Sequence, residues 1–532
     1  MPALIIGALL PFIAAAVTGN LSIPHNDSWA YSQIAQDYVR TGHLHLDGWI
    51  RGAFIGQFVV LGPLASSITA QQSFVALLSL IGLACVFDLL RPVIGERRAG
   101  ITALLLAFWP GYALLSTSFM TDVPTLAVVF IGLAIGRRAL ERDSLSLFTL
   151  AMVVGFWGTT IRAQALAAPA ALLIQAAMTR RDRKRVRLGV LAVFAVALGV
   201  GFVYFNAWFE ALPRVDAAPS KIVPALLGTT LNMSLHAFFM VALPAAPAVL
   251  WAARPARWRR PAKITSIVMA GVAICALHDY GRSGFFVGNY LQQGGAYSAV
   301  MHGDSVVIPN VLWDMTIVVA MVSGALLAGL LVENASRGDR LMTTFTLLFA
   351  AGTLGTFLVG QFMFDRYFLE CLPGVLAIVL IPGPAPAPRG IERRFPGFGR
   401  WPRWMGVSTA GLTVSIVAFM LFTSAMTRDS QRWAAAESLH ASGVPTMRIN
   451  AGLEWLGLHA PNAVINRNPD TADRPLGYFT TTPACYTFTV SPTDQRGWTL
   501  YRVVEYEQFL VTGSTKLYIY ATHASGCPAL VK

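Results

Sequence analysis

Apolar runs long enough to cross a bilayer recur along almost the whole chain, and nothing constrains its folding more. In lipid, a helix is the segment that satisfies its own backbone hydrogen bonds. Roughly 20 apolar residues carry it across, fewer where the span is short. Such runs lie at 3–19, 72–90, 99–116, 123–137, 145–160, 163–178, 188–209, 233–252, 264–278, 311–332, 341–360, 370–384 and 405–425, about 13 in all. With 55% apolar and 13% charged residues in 532, a soluble domain of this length is excluded. The first run has no basic start and no small-residue cleavage site before the acidic loop that follows, so it reads as a retained span rather than a signal peptide. The expected fold class is an α-helical polytopic membrane protein.

The net charge of +13 points to topology rather than to a nucleic-acid partner. Of the 40 Lys and Arg residues, 24 fall in one alternating set of loops, among them TRRDRKRVR (179–187) and RPARWRRPAK (254–263). The other set holds seven: Arg40, Arg51, Arg162, Arg214, Lys221, Arg282 and Arg366. The basic set is expected in the cytoplasm. That places the N-terminus inside and the first loop and the tail outside.

Two domains are expected: a membrane domain over 1–427, whose first outer loop spans 20–71, and an extracytoplasmic α/β domain over 428–532. In the second, DSQRWAAAESLHASG reads as a helix stopped at Gly443. CYTFTV, WTLYRVVEY and TKLYIYA read as strands, being β-branched and aromatic. Cys485 and Cys527 both fall in this outward segment, where a disulfide is expected on compartment grounds, two buried thiols being the alternative.

The outer loops collect ionisable residues. The first carries His25, Asp27, Asp37, His43, His45 and Asp47. Asp122 opens the fourth span, and Arg162 ends the fifth. His278, Asp279 and Arg282 share one later loop, and Asp365, Arg366 and Tyr367 share the last. Charged groups at a membrane edge are costly and mark candidate functional sites. Carboxylates can take a proton from a hydroxyl or hold a divalent metal, and arginines can clamp a phosphate. Together they suit a phosphate-linked, lipid-borne substrate. Each residue also has a plain structural use. Asp27 can cap the amphipathic helix SWAYSQIAQDYV. Asp37 lies on its wet face, and Trp29 and Tyr31 either stack on a sugar or anchor the helix at the interface. Asp122 in TDVP can start a helix. Arg162 and Arg366 can snorkel. His43, His45 and Asp47 share one side of an extended segment, compatible with metal ligands or with solvated polar groups.

These residues resemble the membrane-embedded glycosyltransferases of the GT-C fold, closest to the bacterial group of protein O-mannosyltransferases and the aminoarabinose transferase of lipid A. The resemblance rests on PHNDSWAYSQIAQDYVRTGHL, with Tyr38 and Gly42 as its Tyr-x-x-x-Gly exit, on TDVPTLAVVF and on DRYFLECLP. It covers about 1–425. The chain departs from the mannosyltransferase pattern where Ser28 stands after Asp27 in place of a second acid, so Asp27 acts alone or with Asp122 or Asp47. The resemblance implies a bacterial inner-membrane enzyme that moves a sugar from a polyprenyl-phosphate carrier to an extracytoplasmic glycan, lipid or protein, with inversion. Asp27 is then the general base and Asp122 its catalytic companion. Arg366, Arg162 and Arg282 are candidates for the donor phosphate, and Tyr367, Asp47 and His278 for substrate, with a divalent metal possible. The competing classes are a transporter or flippase of lipid-linked glycan, a non-catalytic assembly or adhesion protein, and an O-antigen ligase or polymerase.

Overall fold

The computed structural model describes residues 2–47, 56–57, 62–178, 184–215, 227–297, 301, 303, 305–358, 363–382, 401–459, 484–508, 514–522 and 527. Helix α1 (Pro2–Val17) leads into a loop and the short helix α2 (Ser28–Thr41). Then come α3 (Ile68–Ile94), α4 (Glu96–Ala107), α5 (Tyr112–Leu115), α6 (Asp122–Arg142), α7 (Leu145–Ile161), α8 (Ala167–Met178), α9 (Lys184–Ala211), α10 (Leu227–Ala252) and α11 (Arg260–Tyr280). The set closes with α12 (Asn310–Asn334), α13 (Arg340–Leu358), α14 (Cys371–Val379), α15 (Trp401–Ala441) and α16 (Leu453–His459).

Among the described residues, eight helices are long and apolar enough to cross a membrane, and three shorter apolar ones accompany them. The chain is a multi-pass membrane protein. Two of the expected spans differ. The run 99–116 is broken at Trp109-Pro110-Gly111 into α4 and α5, because a proline has no N–H to continue the ladder. The run 370–384 forms only the nine-residue α14. Gly111, at φ +85°, also lies so close under the Tyr290 ring that a Cβ would not fit.

α6 sits at the centre of the bundle and is buried along most of its length, while α9 and α11 expose most of their apolar surface, as lipid-facing helices do. Gly82 of α3 lies against Leu126 and Ala127 of α6, the close approach that small residues permit in membranes.

Among the described residues, the tail has a four-stranded sheet. Strands β3 (Ile449–Asn450), β4 (Tyr486–Thr489), β5 (Thr499–Glu507) and β6 (Ser514–Ala521) are ordered β3-β4-β6-β5. β3 and β4 are parallel, and β6 is antiparallel to both its neighbours. A separate parallel pair, β1 (Leu46–Asp47) and β2 (Arg214–Val215), ties the opening loop to the end of α9. Cys485 and Cys527 are joined by a disulfide. The expected tail helix is not a separate element: it is the end of α15, which runs unbroken through 427/428 and stops before Gly443, at φ +95°.

Candidate active site

Four separate parts of the chain deliver charged side chains to one end of the bundle. Asp27 stands at the N-terminus of α2, Asp122 at that of α6 and Arg162 at the C-terminus of α7. Arg366 lies in the helical turn Asp365–Phe368 before α14. Local sequence explains each placement. Asn26, in the left-handed region at φ 57°, turns the chain into α2, and its Oδ1 accepts from the Asp27 N–H at 2.8 Å. Asp122 and Pro124 occupy the first turn of α6, where a carboxylate meets the helix dipole and a missing N–H costs nothing.

Asp122 is the hub. Its Oδ1 accepts from Nη2 of Arg162 at 2.8 Å and lies 3.5 Å from Nε of Arg366. Nη2 of Arg366 lies 3.7 Å from Oδ2 of Asp27, and its Nη1 donates to Asn289 Oδ1 at 2.8 Å. Aromatic rings brace both guanidinium groups. The Tyr367 ring is 4.6 Å from the Arg162 guanidinium and 5.5 Å from that of Arg366, with Phe364 and Tyr290 at 5.1 and 5.8 Å from Arg366. The side chains of Asp122, Arg366 and Arg162 are 0%, 4% and 10% exposed, against 25% for Asp27. Asp27 is thus the member of the cluster that an incoming molecule can reach. Taken as ionised, two arginines and two aspartates sum to zero charge.

Asp365 supports the arrangement from below. It accepts from the backbone N–H groups of Tyr290, Leu291 and Arg366 at 2.8, 2.7 and 2.7 Å, which fixes both Arg366 and the 289–291 turn. Burial pushes its carboxyl up to about 7, while these backbone donors work against the rise.

Tyr367 therefore joins the cluster. So does Tyr31, which is buried and lies within the fields of Asp27, Arg162 and Arg366. Trp29 is neither a sugar platform nor an interface anchor: it is fully buried, with its indole against Gly457 of α16. Asp27 holds the N-cap position of α2 without a side-chain capping bond. Arg282 and His278 are not part of the cluster. Arg282 is exposed and paired with Asp314, Nε to Oδ1 at 2.6 Å, while His278 is exposed beside Asp279 at 3.1 Å. Each found a nearer carboxylate on its own side of the fold. Asp37 pairs with Arg40 at 2.5 Å on the wet face of α2, and His43 is exposed with His45. The side chain of Asp47 lies outside the described residues.

Among the described residues, no three His, Cys, Asp or Glu side chains gather as a metal set. Asp27 and Asp122 both face guanidinium groups, a donor set that does not fit a divalent cation.

Sequence reasoning missed several neighbours. Asn289 and Tyr290 come from a loop read for its charges alone. Glu370, at the N-terminus of α14, is fully buried. Its signal was present, as an acid beside a proline-containing apolar run. A second buried ionic cluster, built from Arg428, Asp429, Arg432 and Glu454, adjoins the Asp27 loop. Three of its members recur at helical spacing at the end of the last apolar run.

Residues 63–208 match the family model of the dolichyl-phosphate-mannose-protein mannosyltransferases. The matched segment holds Asp122 and Arg162, while Asp27, Arg366 and Tyr367 lie beyond it. Among curated proteins, none matches the chain. Over that segment the chain is similar to the dolichyl-phosphate-mannose-protein mannosyltransferases, and its apolar helical bundle with a small C-terminal sheet is that of a polytopic membrane protein.

Proposed function

We propose that the chain transfers a sugar from a polyprenyl-phosphate carrier to the hydroxyl of an extracytoplasmic glycan, lipid or protein, with Asp27 as general base. The observation that carries this reading is the half-buried Asp27 carboxylate, still partly open to solvent, held 3.7 Å from Arg366 beside an otherwise buried ionic cluster. In the reaction the acceptor oxygen attacks the anomeric carbon and its proton passes to Asp27. The bond from that carbon to the phosphate oxygen breaks, and the phosphate leaves with the electron pair. One negative charge thus moves from Asp27 to the departing lipid phosphate. A guanidinium that touches Asp27 is well placed to follow it, since preorganised cations are most useful where charge develops. Arg366 has that role, with Arg162 behind it. Asp122 holds both arginines through a shared oxygen. Tyr367 and Tyr31 wall the pocket and keep water out. The positive-inside bias supports a cytoplasmic N-terminus and an outward site, and the resemblance described above supports a bacterial inner membrane.

The test uses purified protein in nanodiscs with a panel of tritium-labelled polyprenyl-phosphate sugars, mannose first. Release of label by the wild type and its loss in Asp27→Asn, with the variant folded, is the expected result. Equal release by both proteins would remove Asp27 from the mechanism.

A further inference from the structure

Asp27 sits in a loop whose preceding residues are held by the C-terminal domain. Nδ1 of His25 faces Oδ2 of Asp429 at 3.0 Å. Asp429 lies between Arg428 at 3.4 Å and Arg432 at 3.2 Å, so it is a carboxylate and accepts, and the imidazole keeps its proton on Nδ1. One residue on, the backbone N–H of Asn26 donates to Oε1 of Glu454 at 3.2 Å. The other oxygen of Glu454 accepts from Nη1 of Arg432 at 2.9 Å, and the same nitrogen donates to the Ala451 carbonyl at 3.0 Å. The four charged side chains are 5% exposed or less, and their charges balance. Below the same loop, Gln33 of α2 donates to the carbonyls of Gly457 and Leu458 at 3.1 and 3.0 Å.

We infer that Glu454 and Asp429 are positioning residues for Asp27, so that the C-terminal domain is a working part of the active site. The inference rests on Asp27 being the general base. The two residues ahead of Asp27, His25 through its ring and Asn26 through its backbone N–H, are tied to carboxylates that Arg432 links across α15 and α16. A buried charge network of this kind has few alternative arrangements, because each member leaves another unpaired if it moves. The left-handed Asn26 needs such over-determination to persist, and its Nδ2 donates to the Tyr290 hydroxyl at 3.2 Å. Asp27 is thereby set at a defined height and angle to Arg366. A general base displaced by about 1 Å loses on the order of 100-fold in rate.

The experiment compares full-length wild type, Glu454→Ala, Glu454→Gln, Asp429→Asn, Asp27→Asn and Asp27→Asn/Glu454→Ala in nanodiscs. Two readouts are taken: turnover of a labelled polyprenyl-phosphate mannose, and hydrogen–deuterium exchange of the 22–41 segment. For Glu454→Ala, kcat falls roughly 10- to 100-fold while the donor KM stays within about threefold. Glu454→Gln, which keeps an oxygen for the Asn26 N–H, recovers part of the loss. The double variant is no slower than Asp27→Asn, since both changes act through one group. Exchange at 22–41 rises in the Glu454 and Asp429 variants. Wild-type kcat in Glu454→Ala, additive losses in the double variant, or unchanged exchange at 22–41 would each overturn the inference. If Glu454→Ala does not fold, Glu454→Gln and Asp429→Asn carry the same comparison. If Asp27→Asn is fully active, the assignment of the base fails, while the exchange result still judges whether the tail holds the loop.

Discussion

Replacing Asp122 with Asn removes the one charge that two buried arginines share. At an effective dielectric near 20, its attraction is about 6 kcal/mol for Arg162 at 2.8 Å and about 5 kcal/mol for Arg366 at 3.5 Å. Much of that is offset by the hydration these groups regain when they loosen, and breaking a buried pair typically costs about 3–5 kcal/mol. Asn keeps an oxygen for Arg162, so the expected loss is near the lower figure, about 3 kcal/mol. Function changes in two opposed ways. The pocket gains a net positive charge, so the donor KM falls. Arg366 loses its anchor, so kcat falls by about tenfold or more. The assay pairs unfolding of the purified protein, followed by tryptophan fluorescence, with donor turnover. Asp37→Asn is the control: it breaks an exposed pair, worth about 0–1 kcal/mol. Should Asp122→Asn match Asp37→Asn in both stability and turnover, the buried cluster does not organise the site.

Three further outcomes are expected. Arg366→Lys keeps the charge but loses the planar fork that reaches Asp122, Asn289 and Asp27 together, so turnover falls on the order of 100-fold without loss of expression. Arg282→Ala and His278→Ala, which remove exposed groups away from the cluster, leave turnover within about twofold of wild type; a larger drop in either would return that loop to the site. The Cys485–Cys527 disulfide spans 42 residues, and by chain entropy its loss costs the tail about 4 kcal/mol. Cys485→Ser/Cys527→Ser therefore lowers the unfolding midpoint of the tail, read by exchange at 484–522, and lowers donor turnover with it.

The membrane helices were legible because a span must be apolar over most of its length, whatever it packs against. The gathering of Asp27, Asp122, Arg162, Arg366 and Tyr367 was legible for a related reason: alternating spans bring every second loop to the same end. Topology could not say which charges in those loops meet. Arg282 and His278 satisfied the same rule and paired locally with Asp314 and Asp279. The tail cluster was hidden for a different reason. Read by composition, the chain changes character near 428, yet the backbone ladder of α15 continues across that point. Arg428, Asp429 and Arg432 look like the wet start of a new domain. They are buried because α16 and the His25 loop fold back over them.

The length of α15 has a geometric consequence. A helix of 41 residues is about 60 Å long, roughly twice the hydrocarbon thickness of a bilayer. One rod thus links the lipid-embedded packing beside α10 to the docking face for the Asp27 loop. Each residue along it turns the far end by about 100°. The angular phase between the two ends is a covalent property of the chain, set by the number of residues between them. A single inserted or deleted residue in the span would swing Arg432 away from Glu454 even when the change lies many turns away, whereas adding close to whole turns would keep their bearing and alter the height at which the tail stands.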